Sequence, residues 1–213
     1  MPNVPRRAPV IGLVGGIGSG KSHLARRLQE KHSIEIVEGD SAGHLVLEDL
    51  PVQEELRRIF GSSIFNPEGK VDRPKLGRLV FGTTPQHQSA RNNLEKIVHP
   101  RITEILKSQV ERARSRVGIE AVILDAALIV EAGWRHFCDA VVFVDTPYEE
   151  RLARVSRQRG WDRDELDARE ASQLPLEQKR KEAQYVVDNS GDGPSAQSQL
   201  EEIYSRIVSP GHT

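Results

Sequence analysis

Five short apolar runs alternate with longer stretches in which apolar residues recur every three or four positions. Residues 10–14 form the first run and read as a buried strand. Residues 21–31 follow as a helix, with Leu24, Ala25 and Leu28 on one face. Residues 34–37 are a second strand that closes on Glu38, Gly39 and Asp40. Residues 41–116 are mainly helical, broken by a polar turn at 66–70 where Asn66, Pro67 and Gly69 cluster. Leu94, Ile97, Val98, Ile102, Ile105, Leu106 and Val110 hold a helical period, and Pro100 cuts across it. Proline fits the first turn of a helix better than its interior, so one helix is expected to end near His99 and another to start there.

Residues 121–124 predict a third strand, ended by Asp125, and residues 140–144 a fourth, ended by Asp145, Thr146 and Pro147. A helix from Tyr148 to about Arg159 comes next, and residues 160–183 are charged and helical. Residues 185–187 form a short fifth strand before the turn Asp188-Asn189-Ser190-Gly191, and residues 200–208 close the chain as a helix. Strands alternating with helices imply an α/β fold around a parallel sheet. The helical stretch 41–116 is too long for a crossover and reads as an insertion between two strands.

Composition narrows the class. With 30 Lys plus Arg against 31 Asp plus Glu, the net charge is −1, which excludes a globally basic nucleic-acid binder. No run approaches the roughly 20 apolar residues of a membrane span. The single cysteine, Cys138, excludes an intrachain disulfide and fits a reducing compartment. Residues 1–8 read as a disordered leader, too weakly apolar for an export signal, so the cytoplasm is the expected location.

The most specific segment is GGIGSGKS, Gly15 to Ser22, which satisfies G-x-x-x-x-G-K-[ST] between a strand and a helix. Its glycines let the chain bend closely around a phosphate, and the amides of Gly16, Ile17, Gly18, Ser19, Gly20, Lys21 and Ser22 can form a nest of donors. Lys21 can reach the β- and γ-phosphates, Ser22 can ligate Mg²⁺, and His23 completes the binding segment. A dinucleotide loop is the rival, but after Gly18 and Gly20 its third glycine is missing.

A phosphate loop alone leaves a small-molecule kinase, a GTPase-like switch or a transport ATPase. No N-K-x-D guanine-reading segment occurs, and the chain is short for a transporter motor. A kinase needs a base near its acceptor, and Asp40 closes the second strand at the edge where such sheets bind ligands. Asp40 also suits a helix N-cap, a task Ser41 would perform equally well. Asp125 stands where an acid holds Mg²⁺, and equally where an aspartate ends a strand. Arg151, Arg154, Arg157, Arg159 and Arg163 share their stretch with one acid, Asp162. Arginine forks suit the charge of a moving phosphoryl group, with Arg154 the first candidate, and the alternative is a solvated helix with Glu150 paired to Arg154.

Together these segments resemble the dephospho-coenzyme A kinases. The resemblance runs from about Val10 to Ile207 and adds GKVDRPKLGRLVF (69–81), LEKIVHPRI (94–102), VILDAALIVEAGW (122–134), Arg169 with Gln173, and YVVDNSG (185–191). It implies a P-loop NTPase fold with a five-stranded parallel sheet, a helical acceptor insert and a helical lid. The implied parts are a nucleotide core (1–40, 117–150, 184–213), an acceptor domain (41–116) and a lid (151–183). The implied reaction moves the γ-phosphoryl of ATP, with Mg²⁺, to the ribose 3′-hydroxyl of dephospho-coenzyme A, with Asp40 as base. Asp72, Arg73, Leu76, Phe81, His99, Pro100, Leu128 and Glu131 would meet the acceptor, and Asn189 and Gly191 would lie near the adenine of ATP. His99 also suits a structural histidine, and Trp134 and Phe137 suit plain core. A kinase for another nucleotide or a non-catalytic ATP sensor are the alternatives, and neither nucleic acid nor membrane is an expected partner. A monomer is the expected state. The chain departs from the family pattern at three places: Glu38 and Gly39 before Asp40 where D-A-D is usual, His44 where an arginine is usual, and Ala127 where a proline is common.

Overall fold

The computed structural model describes residues 7–82, 84–191 and 194–209. Most of the leader expected at 1–8 lies outside these residues, but its end is not disordered: Ala8 is buried and Arg7 pairs with Glu111. Ala8 is held because its carbonyl accepts from Arg114 Nε at 2.8 Å.

Five parallel strands, β1 (Val10–Gly15), β2 (Ile34–Glu38), β3 (Ala121–Asp125), β4 (Ala140–Asp145) and β5 (Tyr185–Asp188), lie in the order β2-β3-β1-β4-β5. β1, β3 and β4 are central and covered on both faces, which is why their sequences are almost continuously apolar rather than alternating. On one face sit α1 (Lys21–Gln29) and α9 (Pro194–Val208), where Leu24, Leu28, Leu200 and Tyr204 meet Ile11, Leu13 and Val142. α9 begins well before residue 200 because Ala196 is already buried against the sheet.

The other face carries α2 (Gly39–Val46), α3 (Leu50–Phe60), α4 (Arg73–Val80) and α5 (Pro85–Arg114). Val46, Leu56, Leu76 and Leu106 from these helices share one apolar cluster with Val10, Val122 and Leu124 of the sheet. The break expected near His99 does not occur: α5 is one helix with Pro100 inside it. Ile97, Val98, Ile102, Leu106 and Val110 are buried on both sides of the proline, and their burial outweighs its cost of about 3 kcal/mol. Pro100 itself is exposed, as is Lys96, whose carbonyl loses its helical donor.

After β4 the chain forms α6 (Tyr148–Arg159), α7 (Arg163–Glu170) and α8 (Leu176–Lys181), an arch whose first two helices line the cleft at the carboxyl edge of the sheet and whose last packs against β1. The register sets the site. Leu13 and Glu38 both lie opposite Asp125, so the ends of β1, β2 and β3 converge on one edge. Gly39 permits this closeness, since a Cβ there would fall 2.5 Å from Ala126 Cβ.

Candidate active site

The loop between β1 and α1 is braced from behind by side chains. The Ser19 carbonyl accepts from Thr146 Oγ1 at 2.9 Å, Asn189 Nδ2 at 2.7 Å and Arg154 Nη1 at 3.3 Å. Gly18 and Gly20 hold φ values of +77° and +93°, conformations that side chains rarely adopt. Arg151, only 4 % exposed, packs so closely that a Cβ on Gly16 would lie 2.7 Å from its Nη1.

Lys21 is 8 % exposed. Its Nζ donates to Gly15 O (3.2 Å), Gly16 O (3.0 Å) and Ser19 Oγ (3.3 Å). Burial lowers its pKa from 10.5 to about 8; Asp125 and Asp40 oppose the shift, and Lys179 and Arg151 add to it. The Asp125 carboxyl is pushed up by burial, while Ser22, hydrogen-bonded to it, and Lys21 pull it down. A hydroxyl beside a carboxylate is the hard-oxygen pair that Mg²⁺ takes, with phosphate and water completing its shell. No group of three His, Cys, Asp or Glu residues able to hold a metal occurs among the described residues. Ser22 and Asp125 supply a hydroxyl–carboxylate pair beside the loop.

Two cavities meet here. One, of about 790 Å³, is lined by residues 17–23, Asp125, Arg154, Asn189 and Gly191. The other, of about 670 Å³, is lined by Arg73, Leu128, Trp134, His44 and Gly43 among others. Asp40, Phe81, Ala127, Arg159, Trp161 and Arg169 belong to both. Asp40 lies in the first turn of α2, but the N-cap position is Glu38 and no side chain caps the helix. The capping alternative is thereby removed, and the Asp40 carboxylate is exposed to the cleft.

The fit decides the family. A family model described as dephospho-CoA kinase matches residues 9–194. The chain belongs to the dephospho-CoA kinase family. A dephospho-CoA kinase of Carboxydothermus hydrogenoformans is 36 % identical over 90 % of this chain and 91 % of its own. One of Symbiobacterium thermophilum is 37 % identical over 90 % and 78 %. The crystal structure of TT1252 from Thermus thermophilus matches with a TM-score of 0.78 and 30 % identity, covering 96 % of this chain and 100 % of that one. A shikimate kinase from Acinetobacter baumannii shares the fold alone, with a TM-score of 0.54 at 20 % identity over 97 % of this chain and 96 % of its own. The family relationship favours neither a kinase of another nucleotide nor a non-catalytic ATP sensor.

Within this family the expected acceptor residues divide. Arg73, Phe81 and Leu128 line the second cavity. Asp72, Leu76, His99 and Glu131 do not, and each has a structural occupation. Asp72 caps α4 by accepting from Lys75 N at 3.0 Å, which holds its carboxyl below the usual range. Leu76 is buried in the core. His99 packs edge-on to Trp134, ring centres 6.1 Å apart, and burial lowers its pKa. Glu131 pairs with Lys179 at 2.6 Å and accepts from Leu174 N at 3.2 Å. Pro100 is exposed on α5.

Asn189 and Gly191 line the phosphate-loop cavity, although the Asn189 amide is engaged by Ser19 O. Of the five clustered arginines, Arg154 and Arg159 line the phosphate-loop cavity. Arg163 is paired with Glu149, Arg157 turns back to Ala153 O, and Arg151 is buried. Three participants escaped the sequence reading. Lys179 is fully buried, donating to Ala127 O (2.9 Å) and Gln173 Oε1 (2.8 Å), and a charge run hides such a residue. Trp161 lies against Arg159 (4.8 Å) and Arg169 (4.2 Å). Glu170 accepts from Ile17 N at 3.2 Å. A lone tryptophan beside arginines was the one available signal.

Proposed function

We propose that Asp40 is the general base of this dephospho-CoA kinase. It takes the proton from the ribose 3′-hydroxyl of dephospho-CoA as that oxygen attacks the γ-phosphorus of ATP. The O–P bond to the β-phosphate breaks, and the products are ADP and coenzyme A. The observation that supports this is the position of Asp40 on the wall of both cavities, at their junction.

The loop amides other than that of Ile17, which donates to Glu170, hold the triphosphate with Lys21, and these donors need little reorganisation as charge moves outward. Ser22 and Asp125 would hold Mg²⁺, which supplies neutralisation of the β- and γ-phosphate oxygens when bound. Arg154, beside the loop at Ser19 O, adds charge from the lid. We assign residues 1–40, 117–150 and 184–213 to the nucleotide core, 41–116 to acceptor binding and 151–183 to the lid. We assign a monomer as the working unit. We assign a reducing, cytoplasmic setting, which a chain with one cysteine, Cys138, and hence no intrachain disulfide fits.

Asp40→Asn tests the assignment. Turnover with dephospho-CoA is expected to fall about 100-fold or more, the scale of general-base catalysis, with ATP affinity held within about threefold. Calorimetric ATP titration and steady-state ADP release measure the two. Near-normal turnover in that variant removes Asp40 from the role.

A further inference from the structure

Both main-chain polar groups of Ile17, in the first turn of the phosphate loop, are taken by side chains from the arch above it. Its N–H donates to Glu170 Oε1 at 3.2 Å, and its carbonyl accepts from Arg151 Nη1 at 3.4 Å. Arg151 and Glu170 also pair with each other, so an ion pair brackets a single residue of the loop. Arg151 comes from α6 and Glu170 is the last residue of α7. The Arg151 guanidinium is further fixed by donation from Nε to Thr146 O at 3.1 Å. A guanidinium this deeply buried requires a counter-charge, and Glu170 supplies it.

Glu170 also has a particular neighbour. Consecutive residues on a helix point about 100° apart, so the last turn of α7 faces two ways. Glu170 grips the loop, while Arg169 reaches the junction of the two cavities. There Arg169 lies 4.6 Å from the Phe81 ring centre and 4.2 Å from that of Trp161, with Nε donating to Glu165 at 2.8 Å. A guanidinium at that place faces the space common to the two cavities.

We propose that Glu170 is a positioning residue for phosphoryl transfer: with Arg151 it clamps the Ile17 peptide, fixes the end of α7 against the phosphate loop, and so holds Arg169 at the meeting point of the two cavities. The inference rests on the dephospho-CoA kinase reading. It joins loop and lid through a carboxylate that lines neither cavity.

A double-mutant cycle with Glu170→Gln and Arg169→Ala tests it. The Gln carbonyl can still accept from Ile17 N–H but no longer neutralises Arg151. Glu170→Gln is expected to lower kcat about tenfold while the ATP dissociation constant stays within about threefold. Arg169→Ala is expected to lose more, about 100-fold, and the double variant is expected to match Arg169→Ala within about threefold. A merely structural Glu170 would lower the melting temperature yet give multiplying losses in the double variant, which overturns the proposal. Wild-type kcat in Glu170→Gln, or a loss confined to ATP affinity, overturns it as well. Should Glu170→Gln not fold, Glu170→Asp, one methylene shorter, carries the same comparison. Wild-type protein releasing no acceptor-dependent ADP would instead refute the kinase reading itself.

Discussion

Lys21 combines the charge proposed to hold the triphosphate with a buried position. Desolvation brings its pKa to about 8, so the ligand-free enzyme loses this proton as pH rises through that value. A neutral amine has no charge to offer a phosphate, so kcat/KM for ATP is expected to fall about tenfold per unit above pH 8. Bound phosphate favours the ammonium, so the corresponding limb of kcat is expected at higher pH. A kcat/KM profile flat to pH 10 would exclude Lys21 as the controlling group. The sign for stability is opposite. The unfolded chain takes up this proton with a pKa of 10.5 and the native one with about 8, so the burial penalty is greatest below 8 and is relieved as pH rises through that window. At this scale the sequence was informative for the loop because G-x-x-x-x-G-K-S prescribes its own backbone. Asp72 was less legible for the opposite reason: a carboxylate before Arg73-Pro74-Lys75 suits a ligand contact or an N-cap, and only the structure shows that it accepts from the Lys75 amide.

Among elements, α5 differs most from its sequence pattern. Thr103 Oγ1 donates to His99 O at 2.7 Å within the turn after Pro100, and Trp134 Nε1 donates to Thr103 Oγ1 at 2.9 Å. The helix is thus held at its weak turn by contacts from a distant segment. Pro100→Ala restores a donor for the exposed Lys96 carbonyl and removes a ring clash. It is expected to stabilise the protein by about 1–3 kcal/mol in urea titrations. Destabilisation would instead assign Pro100 a packing role that α5 depends on. The strands were legible because buried parallel strands are short, unbroken and apolar. The helix break was not, since local propensity carries no record of burial on both sides of the proline.

For the whole molecule, the arch formed by α6, α7 and α8 is anchored at both ends. Arg151 is locked beneath the phosphate loop, and Lys179 of α8 is fully buried against Glu131, Gln173 and Ala127 O. Substrate-driven closure is therefore expected in the second half of α6 and the first turns of α7, with the Glu170 end of α7 and α8 unchanged. Hydrogen exchange with a non-hydrolysable ATP analogue plus dephospho-CoA measures this. Amides of residues 157–168 are expected to slow about tenfold or more with both ligands and less with either alone. Equal protection by the nucleotide alone would mean that the acceptor plays no part in closure.

The sequence by itself determined the five strands, the phosphate loop and the acid ending the second strand, because each is written in consecutive residues and obeys local backbone rules. Only the tertiary structure decided which arginine braces, which faces the cleft, and which carboxylates are already engaged. Those outcomes depend on charges and buried surfaces brought together from positions far apart in the chain: Glu131 finds Lys179, Glu170 finds Ile17, and Asp40 alone among these acids is left facing both cavities.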